Sequence, residues 1–238
     1  MYGLYGWLLA KGQIAFLNAQ IDAPFVGIYP EIYYGNDMGA PTVVRYILNK
    51  PGVMAKYGIP GPKEFDSNDR IYVFSRIYDT FNSPEEKILF LPILNLNLFR
   101  DQKKARRGAC LFIGKGQNLD TYETLGLSRL TKEIALDQGK LADFLNQFEV
   151  MYSFENPTAM NEIARLCGCR VIFIPERANL VYTQEELATK YEPGMTGVAW
   201  GGDNDTPFDV EAFRSHYMSL RRLFSKRLDR FIEDTQRD

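Results

Sequence analysis

Cysteine and histidine are scarce in this chain of 238 residues, which has Cys110, Cys167 and Cys169 and the single histidine His216. So sparse and odd a set of thiols excludes the paired disulfide framework that staples small secreted domains, and it fits a reducing cytoplasm. Cys167 and Cys169 form a lone Cys-x-Cys with no second Cys or His pair nearby. Structural zinc takes four such ligands, so no metal is expected there. An excess of either charge is also missing, since 28 basic residues stand against 30 acidic ones for a net charge of −2. Coating of nucleic acid rests on a clear basic excess and is not expected. Long apolar runs are absent from the amino-terminal segment: Leu4–Ala10 is broken by Gly6 and too short to span a bilayer, and Met1–Lys11 lacks the basic start of a signal peptide. The chain reads as soluble. Neither the Gly-x-x-x-x-Gly-Lys-[Ser/Thr] phosphate loop nor a full Gly-x-Gly-x-x-Gly fingerprint occurs, which weighs against a nicotinamide-dependent oxidoreductase.

What is present is the composition of an ordinary globular protein, 45% hydrophobic and 24% charged. Tyr2–Ala10 reads as an opening helix closed at Lys11-Gly12, and Ile14–Leu17 as a buried strand. Phe25–Tyr29 reads as extended, Val43–Leu48 as an apolar helix stopped by Pro51-Gly52, and Arg70–Ser75 and Lys87–Leu91 as β-like runs. A doubly wound domain opens with a strand, so the first hundred residues read as a Rossmann-like unit lacking its first strand and loop. Residues 100–108 hold five cations with no apolar periodicity and read as a solvated linker. The expected domains are therefore 1–105, 106–205 and a tail over 206–238.

In the second domain Ala109–Ile113 reads as a strand buried on both faces, Leu130–Ile134 as a strand and Gln138–Phe148 as a helix. Val150–Phe154, a helix opened by Asn156-Pro157-Thr158 and ended by Gly168, and the strand Arg170–Ile174 make a β-α-β unit with parallel strands. In the tail Phe213, Tyr217, Leu220, Phe224, Leu228 and Phe231 recur every three or four residues, one apolar stripe on a long helix. Its cations form a solvated flank or, on a second reading, meet anionic lipid as a peripheral contact at the inner membrane face.

Two clusters carry chemistry. Gly114-Lys115-Gly116 follows a strand, where glycines let backbone N–H groups approach an anion and a lysine adds charge; the same residues also suit a plain turn. Glu155 ends a strand and Glu162 lies seven positions on, two turns along one helix face. The helix start at Asn156, Pro157, Thr158 and Ala159 suits a diphosphate, with Glu162 toward ribose and Glu155 toward a sugar; equally, Glu155 complements the helix dipole and Glu162 is solvated. Glu31 and Asp37 offer a base for an acceptor hydroxyl or, alternatively, bind loop backbone. Arg45 stands on the predicted 43–48 helix with no assigned direction, while His216, Trp7 and Trp200 read as packing or surface residues.

The stretch from Val150 onward, VMYSFENPTAMNEIARLCGCRVIFIP, resembles the donor-binding segment of GT-B glycosyltransferases. Tyr29–Gly52, YPEIYYGNDMGAPTVVRYILNKPG, and the run CLFIGKG are similar to segments of the bacterial enzymes of polysaccharide synthesis. That resemblance implies two Rossmann-like α/β domains, the first short at its amino terminus, and a closing carboxyl-terminal helix. It also implies a nucleoside-diphosphate sugar as donor, a glycan or lipid-linked acceptor, and sugar transfer without a metal or other cofactor. The donor would then be held by Gly114, Lys115, Gly116, Arg129, Glu155, Asn156, Pro157, Thr158, Ala159 and Glu162, with Glu31, Asp37 and Glu155 as catalytic carboxylates. Six residues separate Glu155 from Glu162, one fewer than in the E-x7-E pattern of many retaining members. A noncatalytic nucleotide-sugar-binding or scaffold protein of the same fold is the alternative.

Overall fold

The computed structural model describes residues 25–58, 64–114, 126–178, 182–202 and 208–236. The expected Tyr2–Ala10 helix, the Ile14–Leu17 strand, Trp7, Lys115 and Gly116 lie outside those residues. The described chain is α/β with parallel sheets, and it divides into two compact units, residues up to Leu91 with those from Leu223 onward, and Pro92–Arg222.

Unit 1 is built on β1 (Val26–Pro30), β2 (Thr42–Ile47) and β3 (Arg70–Val73), parallel and in that order. The expected helix over 43–48 is strand β2. Its Val-Val-Arg-Tyr-Ile run is rich in β-branched and aromatic side chains, which lose rotamer freedom in a helix and pack well on a pleated surface. Apolar residues on both faces, which suggested a buried helix, here fill a strand paired on either side, with Val44 and Ile47 both 0% exposed. Lys87–Leu91 likewise differs from expectation, since Glu85–Lys87 form a 3-10 turn and only Ile88 bridges to Val73. Val44, Tyr72 and Leu89 make one core cluster against Phe224 and Phe231, and Ile47, Val73 and Ile88 make another.

Unit 2 carries five parallel strands, β4 (Ala109–Phe112), β5 (Ser128–Arg129), β6 (Val150–Ser153), β7 (Arg170–Phe173) and β8 (Val198–Trp200), in the order β5-β4-β6-β7-β8. The expected strand over 130–134 gives way to the short β5 and to helix α1 (Lys132–Leu136), because the hydroxyl of Thr131 accepts the N–H of Ile134 and caps that turn. Helix α2 (Gln138–Leu145) is capped by Asp137, helix α3 (Ala159–Leu166) by Thr158, and helix α4 (Gln184–Lys190) by a Thr183/Glu186 capping box. Pro157 precedes the cap of α3 instead of occupying its first turn.

Helix α5 (Val210–Gln236) follows the expected stripe, and Phe213, Tyr217 and Leu220 are buried. Three of its arginines satisfy main-chain carbonyls. In unit 2 Arg214 donates to the Leu96 oxygen at 2.8 Å and Arg221 to that of Leu94; in unit 1 Arg227 donates to that of Ile88 at 2.8 Å. The basic segment 100–108 is not wholly a solvated linker. Arg106 turns inward and donates to Asp101 at 2.7 Å, Asn146 at 2.9 Å and the carbonyls of Leu145, Phe148 and Cys167.

Candidate functional site

The strand order of unit 2 reverses direction at β4, whose neighbours are β5 on one side and β6 on the other. In doubly wound sheets the loops after two such strands diverge to opposite faces and leave a crevice at their carboxyl ends, where ligands bind. The residues that leave those two strands here are Ile113-Gly114 and Phe154-Glu155. Phe154 is 0% exposed and packs with Leu111 and Ile113, which fixes the floor between the strands.

Gly114 has φ +56°, a left-handed conformation that L side chains rarely adopt. A Cβ there would overlap the Glu155 carboxylate and come within 3.0 Å of the Phe112 ring. The sequence-derived pair Gly114 and Glu155 is therefore brought together, the carboxylate lying over the bare glycine backbone.

Glu155 is held at its main chain. Its carbonyl accepts the Ser153 hydroxyl at 3.0 Å and the Asn161 side-chain amide at 2.9 Å, and its own N–H donates to the Ser153 oxygen at 3.4 Å. Asn156 reaches the Met195 sulfur at 3.5 Å. The Thr158 hydroxyl accepts the Met160 N–H at 3.4 Å as the cap of α3. Asn156, Pro157 and Thr158 are half-buried and Ala159 is exposed, so this turn lies at the surface of unit 2.

Two other expected residues of unit 2, Glu162 and Arg129, stand elsewhere. Glu162 is 4% exposed, takes the phenol hydrogen of Tyr191, and lies near Arg165 and Tyr217. Burial pushes its carboxyl above the usual range, against the lowering effect of those partners. Neither expected role, ribose contact or simple solvation, describes a carboxylate enclosed in this way. Arg165 is itself buried. It donates to the carbonyls of Gly194 and Thr196 at 3.0 Å each and stacks 4.0 Å from the Phe213 ring centroid. Arg129 is exposed on β5, an edge strand of the described sheet, with Leu111 as its register partner.

Glu31 and Asp37 belong to unit 1. Glu31 follows β1, is 5% exposed and accepts the Leu48 N–H at 2.9 Å, while Asp37 accepts the Tyr33 hydroxyl. Arg45 points inward, pairing with Asp69 at 2.6 Å and donating to the carbonyls of Tyr33, Tyr34 and Gly35, so it fixes the loop that carries Asp37. His216 is exposed with its Nε2 2.7 Å from the Glu192 carbonyl, and Trp200 packs edge-on to Phe173.

Ser153, Asn161, Arg165 and Met195 complete these arrangements without having been assigned a role from sequence. A signal existed for two of them. Ser153 interrupts the apolar run of β6, and Asn161 sits in the first turn of a helix on a face that is otherwise buried.

Among the described residues no group of three or more His, Cys, Asp or Glu side chains is placed to hold a metal ion, and no helix is long and apolar enough to cross a membrane. No protein-family model, curated protein or solved structure matches the chain.

Proposed function

We propose that the chain is a glycosyltransferase that binds a nucleoside-diphosphate sugar at the carboxyl ends of β4 and β6 and passes the sugar to a glycan or lipid-linked acceptor. The observation that supports this reading is the meeting of Gly114 with Glu155 at the point where the strand order reverses, the place where such sheets bind nucleotides. The resemblance of the sequence over this same stretch supplies the donor class. In this reading Lys115 and the start of α3 balance the charge of the departing nucleoside diphosphate, and Glu155 faces the donor. Glu162 is reassigned from ribose to the packing of α3. The exposed cations Arg222, Lys226 and Arg230 stand on α5 among Asp229 and Glu233, a mixed face that gives a lipid surface little net attraction, so the proposal does not extend to membrane contact.

A thermal-shift panel of UDP, GDP, ADP, CMP and dTDP with their sugars tests the donor site, because a ligand that binds only the folded state raises the melting temperature. A nucleotide-selective rise that disappears in Lys115→Ala is expected. Absence of any shift at millimolar ligand would overturn the proposal.

A second reading, a noncatalytic nucleotide-sugar-binding protein, is favoured by the burial of Glu31 against the Leu48 N–H, an engaged position for a general base. Glycosylated product formed with the nucleotide sugar identified by the panel separates the two.

A further inference from the structure

Asn161 presents a cost that packing alone does not explain. The residue is 2% exposed, and its side-chain oxygen is buried without any hydrogen-bond partner. A buried unpaired acceptor is a standing cost to stability, and a leucine of similar shape would avoid it. The other end of the same amide donates to the Glu155 carbonyl at 2.9 Å, so the side chain is turned toward the start of α3 and the β6–α3 turn. Ser153, 0% exposed, meets the same carbonyl at 3.0 Å from the strand side. One carbonyl is thus gripped from both flanks, by a strand residue and a helix residue, and it belongs to the residue whose carboxylate overlies Gly114.

We propose that Ser153 and Asn161 are positioning residues that fix the main chain of Glu155 so that its carboxylate stands over the Gly114 backbone at the mouth of the donor site. The inference rests on the reading that this carboxylate faces the donor, and it deepens that reading by naming what aims it. Retention of an unpaired buried acceptor is then the stability cost of a preorganised site.

The test compares Asn161→Leu and Ser153→Ala with the unaltered full chain. The Asn161→Leu chain keeps the Ser153 bond to the Glu155 carbonyl, so no main-chain acceptor is orphaned. Carboxyl-labelled glutamate NMR, with the Glu155 signal assigned by its loss in Glu155→Gln, reports the placement of the carboxylate without any ligand. The expected result for Asn161→Leu is a melting temperature held or raised, a displaced Glu155 signal, and other carboxyl signals in place. Ser153→Ala is expected to displace the same signal. Affinity for the nucleotide sugar found by the thermal panel should fall about tenfold in Asn161→Leu, the size of one lost polar contact, with the bare nucleotide changed less than about twofold.

A Glu155 signal that stays in place in both variants overturns the proposal. So does an Asn161→Leu chain that melts lower with all its carboxyl signals displaced together, since that is the mark of a purely structural asparagine. If the unaltered chain binds none of the nucleotide sugars, the donor reading fails while the NMR comparison still decides the positioning role.

Discussion

The phenol of Tyr191 donates to the carboxylate of Glu162, and both side chains are buried beside the guanidinium of Arg165. Helix α3 therefore presents one carboxylate inward and leaves the other, Glu155, at the turn before it. Removing the acceptor of a buried hydrogen bond leaves its donor, here the Tyr191 phenol, unsatisfied, at about 1–3 kcal/mol. Glu162→Ala should accordingly lower the stability of unit 2 by that amount in urea unfolding. Glu162→Gln keeps an acceptor for Tyr191 and should leave nucleotide-sugar affinity within about twofold, since side-chain hydrogen bonding there is internal. A large loss of affinity in Glu162→Gln at unchanged stability would return this residue to the ligand.

Glu31 gives unit 1 a pH dependence of defined sign. Burial pushes its carboxyl above the ordinary glutamate range, and the hydrogen bond from the Leu48 N–H only partly opposes this. For an acid whose folded-state pKa is raised, the contribution to stability is complete below the unfolded value and is lost as pH rises through the folded one. Glu31→Gln retains the acceptor for Leu48 and removes the ionisation. The variant should be the more stable protein at neutral pH, with the difference vanishing in acid, as followed by urea unfolding at a series of pH values. A constant offset at every pH would exclude ionisation as the cause.

Asp101 acts in the opposite direction in unit 2. Burial pushes its carboxyl up, but hydrogen bonds from Lys103 and Arg106 together outweigh that and hold it at about 2, below the ordinary aspartate range. Its contribution is present above the unfolded value and is lost as pH falls from there through the folded one. Asp101→Asn should remove that part of the acid sensitivity. Arg106→Ala should do more, at about 2–4 kcal/mol, because it also strips donors from Asn146 and three carbonyls. If Arg106→Ala unfolds at the same urea concentration as the unaltered chain, the segment is a loose linker after all.

The elements that could be read from sequence were those in which local signals agreed. Thr158, the apolar face of α3, Gly168 at φ +90° and the β-branched run after it all pointed to one β-α-β unit, and the stripe of α5 was a long periodic signal. Residues 43–48 were ambiguous because a short run buried on both faces has no period, so only its neighbours β1 and β3 decide that it is a strand. Helix α4 and strand β8 are short and carry little pattern of their own. At the site, the spacing of Glu155 and Glu162 put both on α3's side of the fold, but a period gives a face and not what covers it. The covering residue, Tyr191, lies 29 positions away in sequence. Arg106 escaped for the same reason, its acceptors being supplied from as far along the chain as Cys167.

The approach of Gly114 to Glu155 makes a prediction that needs two substitutions. Alanine at 114 must hold φ near +56°, at about 1–2 kcal/mol for an L residue, and must also displace the Glu155 carboxylate. Glu155→Ala alone removes side-chain atoms from the surface of the turn and should cost less than about 1 kcal/mol of stability. In the double variant the collision with the carboxylate is gone but the backbone strain and a 3.1 Å approach to the Glu155 Cβ remain. The two changes should therefore be non-additive, the double variant being more stable than the sum of the single effects by about 0.5–3 kcal/mol, with Gly114→Ala still destabilising in either background. Strict additivity in a double-mutant cycle would mean that the carboxylate moves aside at no cost, and that the glycine is required by its backbone conformation alone.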